Sequence, residues 1–588
     1  MHNLKIAKRV GIFGSLFIAA LSPACGDGAA GDGGTSSGGS AGKLGSGGSS
    51  STSGGSPTSG GEVTASGGAV SFGGITGDPQ AEGGAAAGSP EPSGQGGGIE
   101  AAGGGGSDAE AGAPSNPTTG GAGPTEKNPT VLAFIGQVGD APRGVYAISI
   151  EDLDAEPTPL SAALPEGFAA ERLLASPSGQ RLSFVARSAD KGVSEVWTVR
   201  ADGSELTRVS EFTGLKITFT QWSPDGEYLV YDLIGEDFAE LFVARADGSS
   251  SRRLATAALT FDEVQWSANS EYVAYIERGK PFAFVVKRSS GAPRALTAEL
   301  AEMRAPAVRL SGFSQDGRWL SVYYKDSTAE GNLRAAAFST AELTPFPLGK
   351  LDFADRPPRW SPTLPTLVGR FENTFQLSDL AVPRKQVMQP LAADYAWSPS
   401  GERLAVIAGE FARLDVVDFE GAAPKVGRTV SQALAVGGKV ERAAWSADSA
   451  SLFYSASAEV ANRHELFVVG ADGEGRRKLS VPAVDNSGVA AIHVPPQGNA
   501  VAYTASHLST FKNELFVTDQ AGTKNLSVGA FDGTPAWSKD GTYLCARVDS
   551  LLQLVNVQTF EWMTLDWYTT LKQFRLSKDS PTFATTQR

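Results

Sequence analysis

A five-residue turn motif recurs along most of this chain and constrains its fold more than any other feature. The clearest copy is Trp-Ser-Pro-Asp-Gly at residues 222–226, between two apolar runs. Ser and Asp hydrogen-bond the local backbone, Pro presets φ and Gly supplies a positive φ, so each position favours a tight turn. Further copies, some degenerate, lie at residues 174–179, 266–270, 313–317, 360–362, 397–401, 445–449, 494–498, 537–541 and 576–580. Successive copies are separated by 37 residues (360 to 397) to 49 residues (445 to 494).

A second marker follows the turn at a looser distance. At residues 195–203 a Glu begins an alternating apolar strand that runs into an Ala-Asp-Gly turn, and similar segments lie at 240–248, 465–473 and 514–522. Four short strands in each repeat, with no helical periodicity, are typical of a β-propeller blade. The sequence therefore predicts an all-β propeller of four-stranded blades, with about 8 to 10 repeat units, over residues 129–588.

The ten turn-like positions exceed the four to eight blades of common propellers. Near the start of the region, residues 131–134 and 144–148 have the pattern of middle and outer strands that lack an inner partner. Residues 574–576 can supply that inner strand, which would close the ring by pairing the two ends of the repeat region and would remove exposed edges. We therefore favour one large ring. Eight blades plus degenerate inserts, or two smaller rings, are the alternatives.

The paired motifs resemble the WD40-like (PD40) repeats of TolB-type propellers, which also occur in prolyl-oligopeptidase-like enzymes. The resemblance covers residues 129–588 and is specific for the fold. It implies periplasmic partners such as peptidoglycan-associated lipoproteins. The peptidases of this type add an α/β-hydrolase domain with the catalytic serine, which we do not expect here because the repeats occupy the rest of the sequence.

Residues 1–24 have the pattern of an export signal. Three cations precede an apolar run at residues 10–21. A helix of this length measures about 18 Å, too short for a hydrocarbon core of about 30 Å, which favours a cleaved signal over a membrane span.

Cys25 directly follows small residues at the end of that apolar run. This arrangement resembles the lipobox of bacterial lipoproteins, in which the thiol receives a diacylglycerol and becomes the new N-terminus. The resemblance implies lipidation at Cys25 and membrane attachment through this anchor. Because Gly26 rather than Asp comes next, it also favours the outer membrane, on its periplasmic or cell-surface side. Ordinary signal cleavage and an uncleaved anchor are the alternatives.

Residues 25–128 are rich in Gly, Ser and Ala, and Phe72 is the one aromatic residue among them. Such a segment buries too little apolar surface to offset the entropy of ordering. We expect a disordered linker with an end-to-end distance on the order of 55 Å.

Few residues point to chemistry. The net charge of −14 disfavours binding to nucleic acid. We expect His464 and His507, in equivalent loops, to be surface residues rather than metal ligands, and Cys545 to be a buried, inert thiol. Trp562 and Trp567 depart from the repeat position, so the sequence does not decide whether either indole is exposed to solvent. Two larger sets are interpreted as structural: turn-forming acids (Asp202, Asp225, Asp247, Asp316, Asp472, Asp540) and inter-blade tryptophans (Trp222, Trp266, Trp360, Trp397, Trp445, Trp537).

Recognition is expected on the face of the ring opposite the motif turns. That face should receive the loops between second and third strands, at residues 188–194, 234–238, 326–332, 456–464 and 506–513. The sequence thus favours a lipid-anchored, non-enzymatic binding or scaffold protein of the cell envelope, without cofactor, metal or catalytic residues. Its partner would be an envelope protein, peptide or polysaccharide. A propeller hydrolase or lyase acting on polysaccharide, and a surface-exposed adhesin or receptor, are the alternatives.

Overall fold

The computed structural model describes the propeller region of the chain. The described residues are 130–585, with gaps at 154, 189, 191, 211–213, 297–302, 328–329, 482–487, 507–513, 523–524, 531–533, 549–550, 566–574 and 577–581. The predicted signal, Cys25 and the predicted linker lie outside these residues. Every regular element in the described part is a β-strand, and none of its segments is a helix that could cross a membrane.

The strands form ten antiparallel sheets, which are the ten blades of a propeller. In blades 2 to 5 the four strands follow each other in chain order: β4 Phe168–Ala175, β5 Arg181–Ser188, β6 Val193–Arg200, β7 Thr207–Arg208; β8 Thr220–Trp222, β9 Tyr228–Ile234, β10 Ala239–Arg245, β11 Ser251–Ala257; β12 Phe261–Trp266, β13 Tyr272–Glu277, β14 Ala283–Lys287, β15 Arg294–Ala295; and β16 Met303–Phe313, β17 Trp319–Asp326, β18 Leu333–Ser339, β19 Pro345–Lys350.

Blades 6 to 10 repeat this order, with one additional short strand in blade 7. Their strands are β20 Arg359–Trp360, β21 Thr366–Phe371, β22 Thr374–Asp379, β23 Arg384–Met388; β24 Ala392–Trp397, β25 Arg403–Ala408, β26 Arg413–Glu420, β27 Ala423–Pro424, β28 Arg428–Thr429; β29 Val440–Trp445, β30 Ser451–Ala456, β31 Glu465–Gly470, β32 Arg477–Lys478; β33 Val489–His493, β34 Ala500–Ala505, β35 Glu514–Asp519, β36 Asn525–Ala530; and β37 Ala536–Trp537, β38 Tyr543–Val548, β39 Leu551–Asn556, β40 Glu561–Leu565.

Blade 1 joins the two ends of the repeat region. Its middle and outer strands come first in the chain, and its inner position is filled by two strands that follow blade 10: β1 Thr130–Gln137, β2 Gly144–Ser149, β3 Thr158–Pro159, β41 Arg575–Leu576 and β42 Thr582–Thr585. β1 pairs antiparallel with both β41 and β42. The predicted closure is confirmed, and β42 supplies four of the paired positions, which the sequence had not indicated.

One ring contains all ten blades. Ten hydrophobic clusters each join two consecutive blades, and the last of them joins blade 10 to blade 1 through Cys545, Leu554, Leu132 and Phe583. The prediction of a single large ring is therefore confirmed. The alternatives of eight blades with inserts, and of two rings, are wrong.

The tryptophans of the turn motif pack between blades, as predicted. Trp222, Trp266 and Trp445 belong to the inter-blade clusters, while Trp360 and Trp397 pack against such clusters. Since each blade is covered on both sides by its neighbours, its middle strands are buried on both faces. They consequently have continuous rather than alternating apolar sequences.

The turn motif holds its own backbone. In blade 3, the Ser223 hydroxyl donates to the Asp225 carboxylate at 2.5 Å and accepts the Tyr228 N–H at 3.0 Å. Asp225 also accepts the Glu227 N–H at 3.0 Å. The backbone N–H of Asp225 donates to the Ser270 hydroxyl in the next blade at 3.1 Å, so this turn also links neighbours.

Candidate functional site

The ring has two different faces, set by the direction of its strands. The turns between first and second strands and between third and fourth strands lie on one face, which we call the turn face. The loops between second and third strands lie on the other face with the crossings from one blade to the next, and we call it the crossing face. β1 is a second strand, so Thr130, paired with Thr585, lies at the turn face.

Exposed apolar side chains are concentrated on the crossing face. Ten large apolar residues of the described part are exposed, and six of them belong to this face: Phe238, Leu259, Phe353, Leu391, Val436 and Leu551. Val436 is fully exposed at the tip of a tight turn between blades 7 and 8. Such side chains mark an interaction surface where they are contiguous, whereas isolated ones are common on folded domains. The six lie in loops and crossings of several blades, and Phe353 and Leu391 lie in the two crossings that flank blade 6.

An arginine held between two aromatic rings lies on this face beside blades 6 and 7. The Arg356 guanidinium is 5.2 Å from the ring centroids of both Phe353 and Phe411. Arg370 lies 4.9 Å from the Phe353 ring, and its guanidinium approaches the carbonyl of Ala392, next to Leu391, at 3.4 Å. We call Phe353, Arg356, Arg370, Leu391 and Phe411 the rim patch.

The backbone around the rim patch is firmly fixed. Asp352 accepts the Arg370 Nε–H at 2.9 Å and the Asn373 N–H at 3.0 Å, which ties the crossing into blade 6 to the second and third strands of that blade. The carbonyl of Phe411 accepts the Val440 N–H at 2.8 Å. The rim patch is thus presented by loops that are hydrogen-bonded to the blades beneath them.

Ion pairs connect the inner strands around the ring. Arg309 lies 3.3 Å from Glu263 in the preceding blade, whose carboxylate also accepts the Leu310 N–H at 2.7 Å. Arg359 pairs with Asp394 of the following blade at 3.2 Å. Each of these two pairs joins opposite charges on the inner strands of neighbouring blades.

Tyr395 is buried beside this inner edge. Its hydroxyl donates to the carbonyl of Pro357 at 3.1 Å, and burial raises the pKa of the phenol. The group is therefore a neutral hydrogen-bond donor that joins blade 7 to the crossing into blade 6.

Two histidines of the repeat region, His464 and His493, lie among the described residues. His464 Nε2 lies 3.3 Å from the Glu441 carboxylate. His507 lies outside the described residues, so its predicted surface position is untested. Burial lowers the pKa of His493. Within the described ranges no cluster of three metal-ligating side chains occurs.

Other candidate groups occupy structural positions. Cys545 is fully buried, and burial raises the pKa of its thiol. Trp562 is partly buried against the cluster between blades 9 and 10, whereas Trp567 lies outside the described residues. The predicted turn-forming role of the acids is confirmed at Asp202, where hydrogen bonds from Ser204 hold the pKa of the carboxyl below its usual value.

The Glu that begins the second marker has a role that sequence reasoning missed. Glu195 is buried, accepts the Trp197 indole N–H at 2.9 Å and pairs with Arg208 at 3.2 Å. Glu465 is also buried and pairs with Lys478 at 3.1 Å. In both blades the acid joins the third strand to a cation on the fourth. The sequence does contain a signal for this role, because the repeated Glu is followed by a cation 13 residues later.

A cavity of about 370 Å³ opens between blades 9 and 10 on the turn face. Asn499, Asp519, Asp540 and Phe560 are among its lining residues. It lies beside the degenerate turn at residues 494–498, where blade 9 lacks the Ser and Asp of the motif.

Comparisons with known proteins found distant structural likenesses and no family. No family model matches the chain, and no curated protein matches it. A eukaryotic initiation factor structure matches with a TM-score of 0.43 and 11% identity over 68% of this chain and 96% of that one. Dipeptidyl peptidase 4 of Porphyromonas gingivalis matches with 0.43 and 12%, over 74% and 63%. TolB of Agrobacterium tumefaciens matches with 0.25 and 13%, over 56% and 95%.

The protein is a ten-bladed β-propeller. The matched structures differ widely in what their names say they do, and likeness at this level carries no argument about activity.

Proposed function

We propose that this propeller is an exported, lipid-anchored protein of the cell envelope that binds a partner on its crossing face and catalyses no reaction. The partner would be an envelope protein or peptide, with an envelope polysaccharide as the other possibility. The concentration of exposed apolar side chains on the crossing face carries the proposal.

The entry point of the chain supports this assignment. Thr130, the first described residue, lies at the turn face, opposite the exposed apolar side chains of the crossing face. Lipidation of Cys25 would then attach the protein to the outer membrane without the chain entering at the binding face. The TolB-like character of the repeats fits a binding role in the same compartment.

A role without catalysis is supported by how the candidate reactive groups are used. The acids of the turn motif hold backbone N–H groups, Cys545 is buried, and the buried marker glutamates pair with cations. Each of these groups has a structural function that accounts for its presence.

Photo-cross-linking in native cells tests the binding face. p-Benzoylphenylalanine is placed at Leu259 or Leu391 on the crossing face, and at the exposed Val382 on the turn face as the matched control. We expect a discrete adduct from the first two positions and none from Val382. Equal adducts from both faces, or none from any position, would contradict the proposal. An adduct that contains glycan would assign a polysaccharide partner.

The anchor is tested separately by metabolic labelling with an alkyne fatty acid. The wild-type chain should carry the label and fractionate with the outer membrane, and Cys25→Ser should lose both properties. Protease treatment of intact cells then distinguishes the two sides, because a surface-exposed propeller would be released. An unlabelled wild-type chain would refute lipidation. It would not bear on the proposal that the crossing face binds a partner.

A further inference from the structure

We propose that the rim patch binds a peptide carboxylate that lies next to an apolar side chain of the partner. This inference rests on the proposed function and specifies the chemistry of the contact. Its central residue is Arg356, in the crossing into blade 6.

The Arg356 side chain is preorganised. Its guanidinium is held between the Phe353 and Phe411 rings, and one of its N–H groups donates to the carbonyl of Ala393 at 2.6 Å. With its position fixed by aromatic contacts, little rotamer freedom is lost when a ligand binds. The side chain remains 25% exposed, so part of it is in contact with solvent.

Arg356 differs from the neighbouring arginines in its carboxylate partners. Arg370 hydrogen-bonds to Asp352, and Arg359 lies 3.2 Å from Asp394. The nearest carboxylate to Arg356 among the described residues is Asp355, with Nε and Oδ2 3.9 Å apart, beyond hydrogen-bond distance. Asp355 is also 73% exposed to water. Arg356 is therefore the rim-patch arginine that can accept a new carboxylate without breaking a carboxylate hydrogen bond.

The surroundings of Arg356 favour an apolar group beside that carboxylate. Phe353 is 37% exposed and Leu391 is 38% exposed. An arginine surrounded by aromatic and aliphatic side chains has the composition of an interface hot spot, because partial exclusion of water strengthens charge-assisted hydrogen bonds. A bare inorganic anion would leave this apolar surface uncovered, whereas a peptide would cover it.

Backbone strain is located at the same place. Glu410 and Phe411 both have positive φ values, of 55° and 74°. A left-handed conformation is unfavourable for bulky residues and is often retained where it serves a site. Here it places the Phe411 ring against Arg356.

Ligand-observed saturation-transfer NMR with small probes tests the proposal on the full-length Cys25→Ser protein. N-acetyl-leucine presents a terminal carboxylate beside an apolar side chain, and N-acetyl-leucinamide is its neutral counterpart. N-acetyl-glutamyl-leucinamide presents a side-chain carboxylate instead. We expect at least one acid to bind about tenfold more tightly than the amide, the preference that a charge-assisted pair supplies.

The variants decide whether Arg356 is responsible. Arg356→Gln should abolish the preference for acid over amide, and Arg356→Lys should retain a reduced one. Arg278→Gln, at an exposed crossing-face arginine paired with Asp262, should leave it unchanged. Melting curves confirm that the variants are folded.

Equal binding of acids and amide, no binding of any probe, or an unchanged preference in Arg356→Gln would overturn the inference. Each of these outcomes would leave the proposed function standing if photo-cross-links form at Leu259 or Leu391. Absence of those cross-links would instead refute the proposed function itself.

Discussion

Replacing two equivalent tryptophans should have clearly different effects on stability. Trp445 and Trp266 both end an inner strand and are both buried between blades. The Trp445 indole N–H donates to the carbonyl of Ala396 in the preceding blade at 3.0 Å. The Trp266 Nε1 is buried and has no hydrogen-bond partner among the described residues. The two sites therefore differ mainly in one hydrogen bond.

The expected difference follows from the value of a buried polar group. Trp→Phe removes similar apolar area at both sites, so that loss largely cancels in the comparison. Trp445→Phe also removes this hydrogen bond, worth about 0.5–1.5 kcal/mol, whereas Trp266→Phe removes a buried unpaired donor, whose burial costs about 1–3 kcal/mol. Trp445→Phe should thus lower the free energy of unfolding by at least about 1.5 kcal/mol more than Trp266→Phe.

Urea unfolding followed by far-ultraviolet circular dichroism measures both variants in the Cys25→Ser background. The signal must not be tryptophan fluorescence, because the substitutions change it directly. Equal losses at the two positions, or a larger loss for Trp266→Phe, would refute the reasoning from hydrogen bonds.

Four further predictions follow from other parts of the ring. Deleting residues 575–588 removes β41 and β42 and should produce an open, protease-sensitive chain; unchanged elution in size-exclusion chromatography would contradict the closure. In the Cys25→Ser protein, the buried Cys545 thiol should react with Ellman's reagent only after unfolding, and rapid reaction of the native protein would show that it is accessible. Burial lowers the pKa of His493, so the unfolded chain takes up this proton first and stability should fall as pH drops from about 6.5 toward the folded pKa; His493→Gln should reduce that slope in melting curves. Gly488→Ala places a Cβ 2.1 Å from a backbone oxygen and should lower the melting temperature far more than Gly139→Ala, whose Cβ meets no atom within 4 Å.

The repeating parts of the structure were predictable because the sequence repeats with them. The turn chemistry at Ser223 and Asp225, the inter-blade packing of the tryptophans and the closure by β41 follow from local propensities and periodicity. Blade number was harder to predict because blade 9 forms around a degenerate turn at residues 494–498, which lacks the Ser and Asp of the motif. Packing against both neighbours maintains such a blade after its turn has diverged.

The rim patch was not predictable from the sequence. Phe353, Leu391 and Phe411 come from two crossings and one loop, and none of them occupies a repeat position. They meet because successive blades bring those segments to one edge of the ring. Periodicity predicts the blades, whereas loop contacts of this kind require the assembled ring. Lipidation of Cys25, the linker and the partner stay predictions.

Blade 1 combines strands from the two ends of the repeat region, and this has a consequence for synthesis of the chain. The first strands of the ring leave the ribosome without their inner partner, which arrives only with β42, after all the other blades have been made. Until then, blade 10 and the unfinished blade 1 each present an uncovered apolar side, including Cys545 and Leu132. A chain that stops early leaves this side of blade 1 uncovered however many blades it has completed. Proteases and chaperones, which recognise such surfaces, can therefore distinguish finished from unfinished molecules by this one seam.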